Sequence, residues 1–446
     1  MSKQLHAHWS SRLAFILAVT GSAVGLGNIW KFPYMVGESG GAAFVLIYLI
    51  CIAFIGLPIL VAEWLIGRRG QKNPINTMAE QARLNGRSGL WTVVGISGVL
   101  GAFLILSFYS VIGGWSLSYT LGSVTGNFSG QDADGIGALF EGMLGNPGMM
   151  LGWHSVFMLL VIGIVARGVT KGLEGAVRTM MPALAVLLLI LVGYGMTTGH
   201  FGEALAYLFN PDWSKLTGST VLAALGHAFF TLSLGMGIMM AYGSYLGEDV
   251  SLLRTARTVV IMDTVIALGA GLAIFPIVFA NGLDLASGPG LIFVTLPLAF
   301  GSMAGGTILG LMFFLLLTFA ALTSAISLLE PVVEFVEERS PLGRVGSALV
   351  AGAGAWALGI AALLSFNVWS DPLLFGLNTF DLLDTLTSKF MLPLTGLGAI
   401  VFAAWCLDRD SVHRELGLSG AGSTMWSLAA RYIAPLGVIV VFVGSL

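Results

Sequence analysis

An all-helical protein that crosses a bilayer eleven times is the architecture this sequence predicts, and three observations carry it. The 446 residues are 56% hydrophobic and 10% charged, with a mean hydropathy of +0.91, outside the range of a soluble domain. Apolar runs of about 20 residues or more, enough to cross a hydrocarbon core of roughly 30 Å as helices, recur along the whole chain. Basic residues gather on alternate connections between those runs.

The first span, 12 to 36, follows the polar stretch MSKQLHAHWSSR and is too long for the apolar core of a cleaved signal peptide. Spans 42 to 67, 90 to 124, 149 to 166 and 175 to 197 come next. Then follow 219 to 246, 256 to 282, 305 to 335, 345 to 366, 378 to 405 and 426 to 446. The segment 284 to 303, DLASGPGLIFVTLPLAFGSM, is too short and too broken by Gly and Pro for another crossing; it reads as a re-entrant or capping loop. With the N-terminus cytoplasmic, every Lys and Arg except Lys31, Lys215 and Lys389 falls inside, while the outer loop 125 to 148 holds Asp132, Asp134 and Glu141 without a base. An odd number of crossings then places Leu446 outside the inner (plasma) membrane, with 1 to 446 forming one transmembrane domain. Cys51 and Cys406 lie far apart in apolar segments and suggest neither a disulfide nor a metal. No nucleophile has a base beside it, no histidines show ligand spacing, and no basic surface suits nucleic acid, so neither an enzyme nor an obligate protein partner is indicated.

Two spans carry clusters that a plain membrane helix would not need. In TGSAVGLGNIW, Gly25 and Gly27 flank Leu26 directly before Asn28, with KFP close behind. In FFTLSLGMGIMMAYGSY, Gly235 and Gly237 flank Met236, and Thr231 and Ser233 supply hydroxyls. A lone small-residue pair usually means close helix packing, but these clusters make unwinding cheap. Freed amides and carbonyls cannot face lipid, so both breaks must line an enclosed cavity. They fall in the first and sixth spans, corresponding places of a five-plus-five inverted repeat, 12 to 197 and 219 to 405, with 426 to 446 as an additional helix.

At these residues the chain resembles the neurotransmitter:sodium symporter family. GSAVGLGNIWKFPY, GGAAFVLIY, LPILVAEWLIGR, FFTLSLGMG and FAALTSAISLLEPVVEF all follow its pattern, from Trp9 to the end of the tenth span. The likeness is strongest to the bacterial eleven-helix branch and implies the leucine-transporter fold, with helices 1 and 6 unwound. It also implies sodium-driven uptake by alternating access.

The resemblance implies two sodium sites. The first maps to the Ala23 carbonyl, Asn28, Thr231 and Asp263, completed by the substrate carboxylate. The second maps to the carbonyls of Gly21, Val24 and Ala320 and the hydroxyls of Thr323 and Ser324. All the ligands are oxygens, as a hard cation prefers, although Thr and Ser in membrane helices are also commonly back-bonded to their own helix. Asp263 departs from the Asn most familiar in the family. A mid-membrane carboxylate costs about 2.5 to 3.5 kcal/mol on insertion scales, so it should face a cation. Chloride-dependent relatives hold an anion near the places of Tyr48, His227 and Thr231, with a Ser where Ala267 stands, so no chloride requirement is expected. His227 also fits as a packed core histidine or, alternatively, a proton-linked group.

By the same resemblance the substrate carboxylate meets the amides of Leu26 and Gly27 and the Tyr109 hydroxyl. The amine faces carbonyls of Ala23, Phe230 and Thr231 and the Ser233 hydroxyl. Ser22, Ile105, Phe230, Met236 and Leu328 surround the side chain, and Met236 is flexible enough to suit bulky aliphatic and aromatic L-amino acids. Monoamine-transporting relatives carry Asp where Gly25 stands, which favours an amino acid here. Lys31 and Asp384 match the outer gate pair, loosened because Lys replaces Arg, and Tyr109 and Phe230 close above the substrate. Inside, Trp9 and Glu338 keep their family places, while the family's N-terminal Arg falls at His6, leaving Lys3 or Arg12 as its substitute. Glu63 is either a solvated helix end or a brace for the unwound stretches. GLEGAVRTMMP separates Gly172 from Pro182 by nine residues; it is either an ordinary helix entry or a segment that unwinds to release sodium inward. A proton-coupled transporter on the same scaffold and an ion channel with a continuous pore remain the alternatives.

Overall fold

A computed structural model describes residues 8–283, Leu285 and 290–444; Lys3, His6 and Leu446 lie outside the described residues. The helices in chain order are α1 (Arg12–Ala23), α2 (Gly27–Glu38), α3 (Ala42–Gly70), α4 (Pro74–Leu84), α5 (Gly89–Thr125), α6 (Ala133–Leu144), α7 (Pro147–Val165), α8 (Val169–Thr197) and α9 (Phe201–Phe209). They continue as α10 (Gly218–Thr231), α11 (Ile238–Ser244), α12 (Leu252–Ala280), α13 (Leu291–Ser302), α14 (Gly306–Arg339), α15 (Gly343–Leu364), α16 (Thr379–Cys406), α17 (Arg409–Glu415) and α18 (Ala421–Gly444).

Among the described residues nine helices are each long and apolar enough to cross a bilayer, and α1 with α2 makes a tenth crossing bent by 48°. The remaining expected span, 219 to 246, is split into α10, of 14 residues, and α11, of 7. At about 1.5 Å per residue neither half crosses alone. The segment read as a loop from 284 to 303 instead holds α13. Its Pro297 sits in the first turn of Leu296–Ser302, where a missing N–H costs nothing. Phe293 packs at 5.6 Å on Trp115 and 5.1 Å on Tyr119, and its carbonyl accepts from the Tyr119 hydroxyl at 2.9 Å, so α13 caps the bundle.

Proline shapes the long helices in a recurring way. The wide, π-type turns Gly27–Lys31, Ile52–Gly56, Leu291–Thr295, Leu386–Met391 and Ala429–Ile433 are each followed at the second residue by a proline. Proline has no N–H and its ring crowds the carbonyl four residues back; widening the preceding turn moves that carbonyl aside without ending the helix. The spans therefore bend and continue. Only at the two glycine clusters does the ladder stop. The long, largely buried α14 runs along α5 beside both breaks, which sets its middle third against α1.

Candidate functional site

The first break is short. α1 ends at Ala23, Val24 turns to extended backbone with its N–H on the Thr20 carbonyl at 2.6 Å, and α2 begins at Gly27. Inside it the Gly25 N–H donates to Asn28 Oδ1 at 3.3 Å and the Leu26 N–H to the Tyr109 hydroxyl at 3.2 Å. A methyl on Gly25 would stand 2.2 Å from Ser324 Oγ and 3.0 Å from the Tyr109 hydroxyl, so only glycine lets α14 and α5 reach the break. The second break is longer. Ser233, Gly235 and Gly237 adopt left-handed φ of 53°, 75° and 69°, a sequence of turns that a helix cannot absorb. The freed groups are answered by protein: the Gly235 N–H donates to Glu63 Oε1 at 2.8 Å and the Ser233 hydroxyl to the Ser22 carbonyl at 3.0 Å. Glu63 is fully buried, so it braces the second break and is no solvated helix end.

Asp263 of α12 stands beside these breaks and is completely buried. Its Oδ1 accepts from Asn28 Nδ2 at 2.8 Å and Thr231 Oγ1 at 2.9 Å, and its Oδ2 accepts from the Tyr48 hydroxyl at 3.2 Å. Three of the four residues expected for the first sodium, Asn28, Thr231 and Asp263, are thus in direct contact. The fourth, Ala23, lines the adjoining cavity. Tyr48, read from sequence only as part of an anion position, joins them. No arginine or lysine is bonded to Asp263 among the described residues; a buried carboxylate met only by one amide and two hydroxyls has room for a hard monovalent cation as its counter-charge. The His227 ring lies tilted 5.2 Å from that of Tyr48, with both ring nitrogens lacking a partner among the described residues.

On the other side of α1, the Ser324 hydroxyl donates to the Ser22 carbonyl at 3.1 Å, while Thr323 Oγ1 is back-bonded to the Phe319 and Ala320 carbonyls at 3.0 and 3.1 Å. Thr323 and Ala320 therefore present a hydroxyl and a carbonyl together, opposite the end of α1 that carries Gly21 and Val24. The Ser22 carbonyl ties both breaks to α14, because it accepts from Ser233 and Ser324 at once.

Between the breaks lies a small cavity, with room for water centres of about 20 Å³, lined by Ser22, Ala23, Gly25, Gly27, Ile105, Tyr109, Phe230, Ser233, Met236, Ser324 and Leu328. The substrate set read from sequence gathers here. Leu26 and Thr231 stand just behind the wall, and Ser324 is an addition that sequence placed only at the ion site. Beyond Phe230, which lines both spaces, a larger cavity of about 450 Å³ holds Lys31 and Asp384 on its walls. These two do not pair. The Lys31 ammonium sits 4.7 Å from the centroid of Phe230, and Asp384 Oδ1 accepts from the Ser388 hydroxyl at 2.8 Å. A compact ammonium on a flexible stem takes the nearer ring, which a guanidinium could use together with the carboxylate.

The opposite face is built differently. Trp9 donates through Nε1 to the Tyr242 carbonyl at 3.1 Å and through its amide to the Tyr245 carbonyl at 3.3 Å. Among the described residues Glu338 makes no ion pair with Arg12 or any other base. Its carboxylate caps the start of α4, accepting from the Asn73 amide at 2.7 Å and from the Asn76 side chain at 2.7 Å. Arg344 pairs on this face with fully buried Glu330, and Glu330 also accepts from the Tyr245 hydroxyl at 2.8 Å. The stretch from Gly172 to Pro182 is wound throughout, with a wide turn over Val169–Glu174 and Pro182 inside the helix that follows.

Known proteins share the sequence pattern and the fold of this chain. The family described as Sodium:neurotransmitter symporter family matches residues 6–135 and 139–446. An uncharacterized sodium-dependent transporter of Bacillus subtilis, YhdH, is 39% identical over 99% of this chain and 98% of its own. One from Haemophilus influenzae is 33% identical over 98% of each. The crystal structure of MhsT in complex with L-phenylalanine superposes with a TM-score of 0.91 at 45% identity, covering 99% of this chain and all of that one.

Proposed function

The chain belongs to the sodium:neurotransmitter symporter family, as a multi-pass membrane transporter and not an enzyme, and from this premise we propose that it couples the sodium gradient to uptake of bulky hydrophobic L-amino acids without chloride. One observation carries the reading. The cavity between the breaks joins a polar end, formed by the backbone around Gly25 and Gly27 and the Tyr109 hydroxyl, to an apolar wall of Ile105, Phe230, Met236 and Leu328. A carboxylate suits the amides at the start of α2, and an apolar side chain suits the wall. L-phenylalanine bound to MhsT supports this substrate class. Room for a ring must come from Phe230 turning and unbranched Met236 changing rotamer.

In this reading Ala23, Asn28, Thr231 and Asp263 take the first sodium together with the solute carboxylate, so neither binds well alone. Asp263 supplies the fixed negative charge. At an effective dielectric near 20, unit charges 4 Å apart attract by about 4 kcal/mol, which removes the need for a bound anion. The second sodium sits between Gly21, Val24, Ala320, Thr323 and Ser324, holding α1 against α14. The repeats 12 to 197 and 219 to 405 are inverted copies, each opening on a broken span, and 426 to 446 stands apart from them. The Trp9 face is cytoplasmic, where most of the basic residues gather. There α8 unwinds between Gly172 and Pro182 when the second sodium leaves.

The test is radiolabelled amino acid uptake into proteoliposomes. Uptake should follow an inward sodium gradient, persist when gluconate replaces chloride, and be competed by Trp, Phe, Leu, Ile and Met far better than by Gly, Asp or Lys. Uptake driven by a proton gradient without sodium, or ion current without solute, would refute the symport reading. Loss of activity in gluconate would show that a bound anion, and not Asp263, balances the sodium charge.

A further inference from the structure

The stretch just before α1 does more than precede it. Ser10 donates from its amide to Glu174 Oε2 at 3.2 Å and from its hydroxyl to Glu174 Oε1. Arg178 Nη2 completes the ring, 2.7 Å from Glu174 Oε1 and donating to Ser10 Oγ at 2.9 Å. We propose that Ser10, Glu174 and Arg178 form a clamp by which the N-terminal stretch holds the first turns of α8 wound, so that α8 opens only when that stretch lets go. The inference rests on the reading above that α8 unwinds to release sodium, and it names the residues that control the step.

Three features make the clamp decisive. Glu174 ends the wide, π-type turn Val169–Glu174, a single-turn departure from the α-helix of a kind often found at functional sites. Its carboxylate is 3% exposed although Arg178 is 54% exposed. An open ion pair of that kind contributes little by itself, whereas the Ser10 amide is a backbone donor to a buried charge and counts for more. That amide is placed by its neighbour, because Trp9 is bonded to Tyr242 and Tyr245 of the second broken span. Docking of Trp9 and winding of α8 are therefore one event. The message has a short way to travel. Val177 and Met181, one and two turns further along α8, lie against Gly21, where an added methyl would meet them at 3.2 and 3.3 Å. Glu174 is thus a positioning residue that acts on the ion through α8.

The experiment uses the full chain in proteoliposomes, with Cys51→Ala and Cys406→Ala to remove native thiols and Met181→Cys as reporter. The rate of labelling by a water-soluble thiol reagent is read with and without sodium. With the clamp intact, sodium should protect the reporter. Ser10→Ala or Glu174→Gln should raise labelling in sodium by about tenfold, as loss of a hydrogen bond to a charged group predicts, and raise the sodium concentration for half-maximal uptake. Ser10→Thr, which keeps the hydroxyl, should restore protection. Ser10 lies outside the helices, so its variants carry the test even where Glu174→Gln fails to fold. Sodium protection unchanged in both Ser10→Ala and Glu174→Gln overturns the clamp and leaves the unwinding reading intact. Labelling indifferent to sodium in the clamp-intact protein overturns the unwinding reading itself, and the clamp with it.

Discussion

The two faces that flank the central cavity are closed by different physics. On the Trp9 side, Arg344 meets buried Glu330, the Tyr245 hydroxyl joins the same carboxylate, Ser244 donates to Glu334 at 3.2 Å, and Trp9 is bonded to two backbone carbonyls. On the Lys31 side, the Phe230 ring lies between the central cavity and a space of about 450 Å³, with one ammonium over that ring and, among the described residues, no ion pair across the opening. Breaking a buried pair by removing one partner costs about 3 to 5 kcal/mol; an exposed cation–π contact contributes about 0.5 to 1 kcal/mol. The Lys31 face can open by thermal motion, then, while the Trp9 face needs a driving event. Occupation and release of the ions is the event the chain is built to supply. Directionality under this scheme comes from unequal doors and needs no third gate.

Removing Arg344 should break this contrast most severely. Arg344→Ala leaves Glu330 buried without its cation, so the Trp9 face should lose its closure. We expect sodium-driven uptake to fall by more than a hundredfold, corresponding to about 3 kcal/mol or more, and thermal unfolding in detergent to shift down. Arg344→Gln with Glu330→Gln should recover much of the thermal stability, since a neutral pair leaves no bare charge. Should Arg344→Ala cost no more than loss of Lys31, the two faces are equivalent and the contrast is gone.

How much of this contrast is legible without coordinates depends on distance along the chain. The breaks declare themselves locally, because Gly25-Leu26-Gly27 and Gly235-Met236-Gly237 are departures from any plain apolar span, and the cavity residues follow once the breaks are aligned. Asp263 is legible as an anomaly, a lone carboxylate in an apolar run. The Arg344–Glu330 pair is not, since its members are 14 residues apart on either side of a helix turn and each also reads as an ordinary helix-end charge. Tyr48 hides for a similar reason: it reads as part of an anion position, and only packing sets it against Asp263; Ser324 is legible as an ion ligand, and only packing adds it to the cavity wall. The short helices α4, α6, α9 and α17 escape a search keyed to long apolar runs. Lys31 misleads in the opposite direction. Its partner Asp384 is correctly placed on the same cavity wall, but the choice between ring and carboxylate is made by a few ångströms of side-chain reach.

Phe230 is where the weaker face should yield next. Phe230→Ala removes both the partition between the cavities and the seat of Lys31, while the polar end of the site stays intact. The half-maximal substrate concentration should rise by about tenfold or more, in line with loss of a buried aromatic, and bound substrate should leave faster. Sodium dependence should persist, because the sodium site proposed at Asp263, Asn28 and Thr231 does not rely on that ring. A variant that retains wild-type affinity and dissociation rate would show that Tyr109, not Phe230, is the true partition.

The smallest expected effect sharpens the comparison. Lys31→Arg keeps the charge but offers a planar fork, which can lie over Phe230 and reach Asp384 together. The added pair would be half open to solvent, and such pairs contribute about 0.2 to 1 kcal/mol. Dissociation of bound substrate toward the Lys31 face should therefore slow by no more than about fivefold, and the maximal uptake rate should fall if opening on that side limits the cycle. Asp384→Asn introduced into the arginine variant should return dissociation to the wild-type rate, while in the lysine protein it should change little. If Asp384→Asn instead speeds dissociation as much with lysine as with arginine, then Lys31 already leans on Asp384 during the cycle, and the Lys31 face is held by more than one ring and one ammonium.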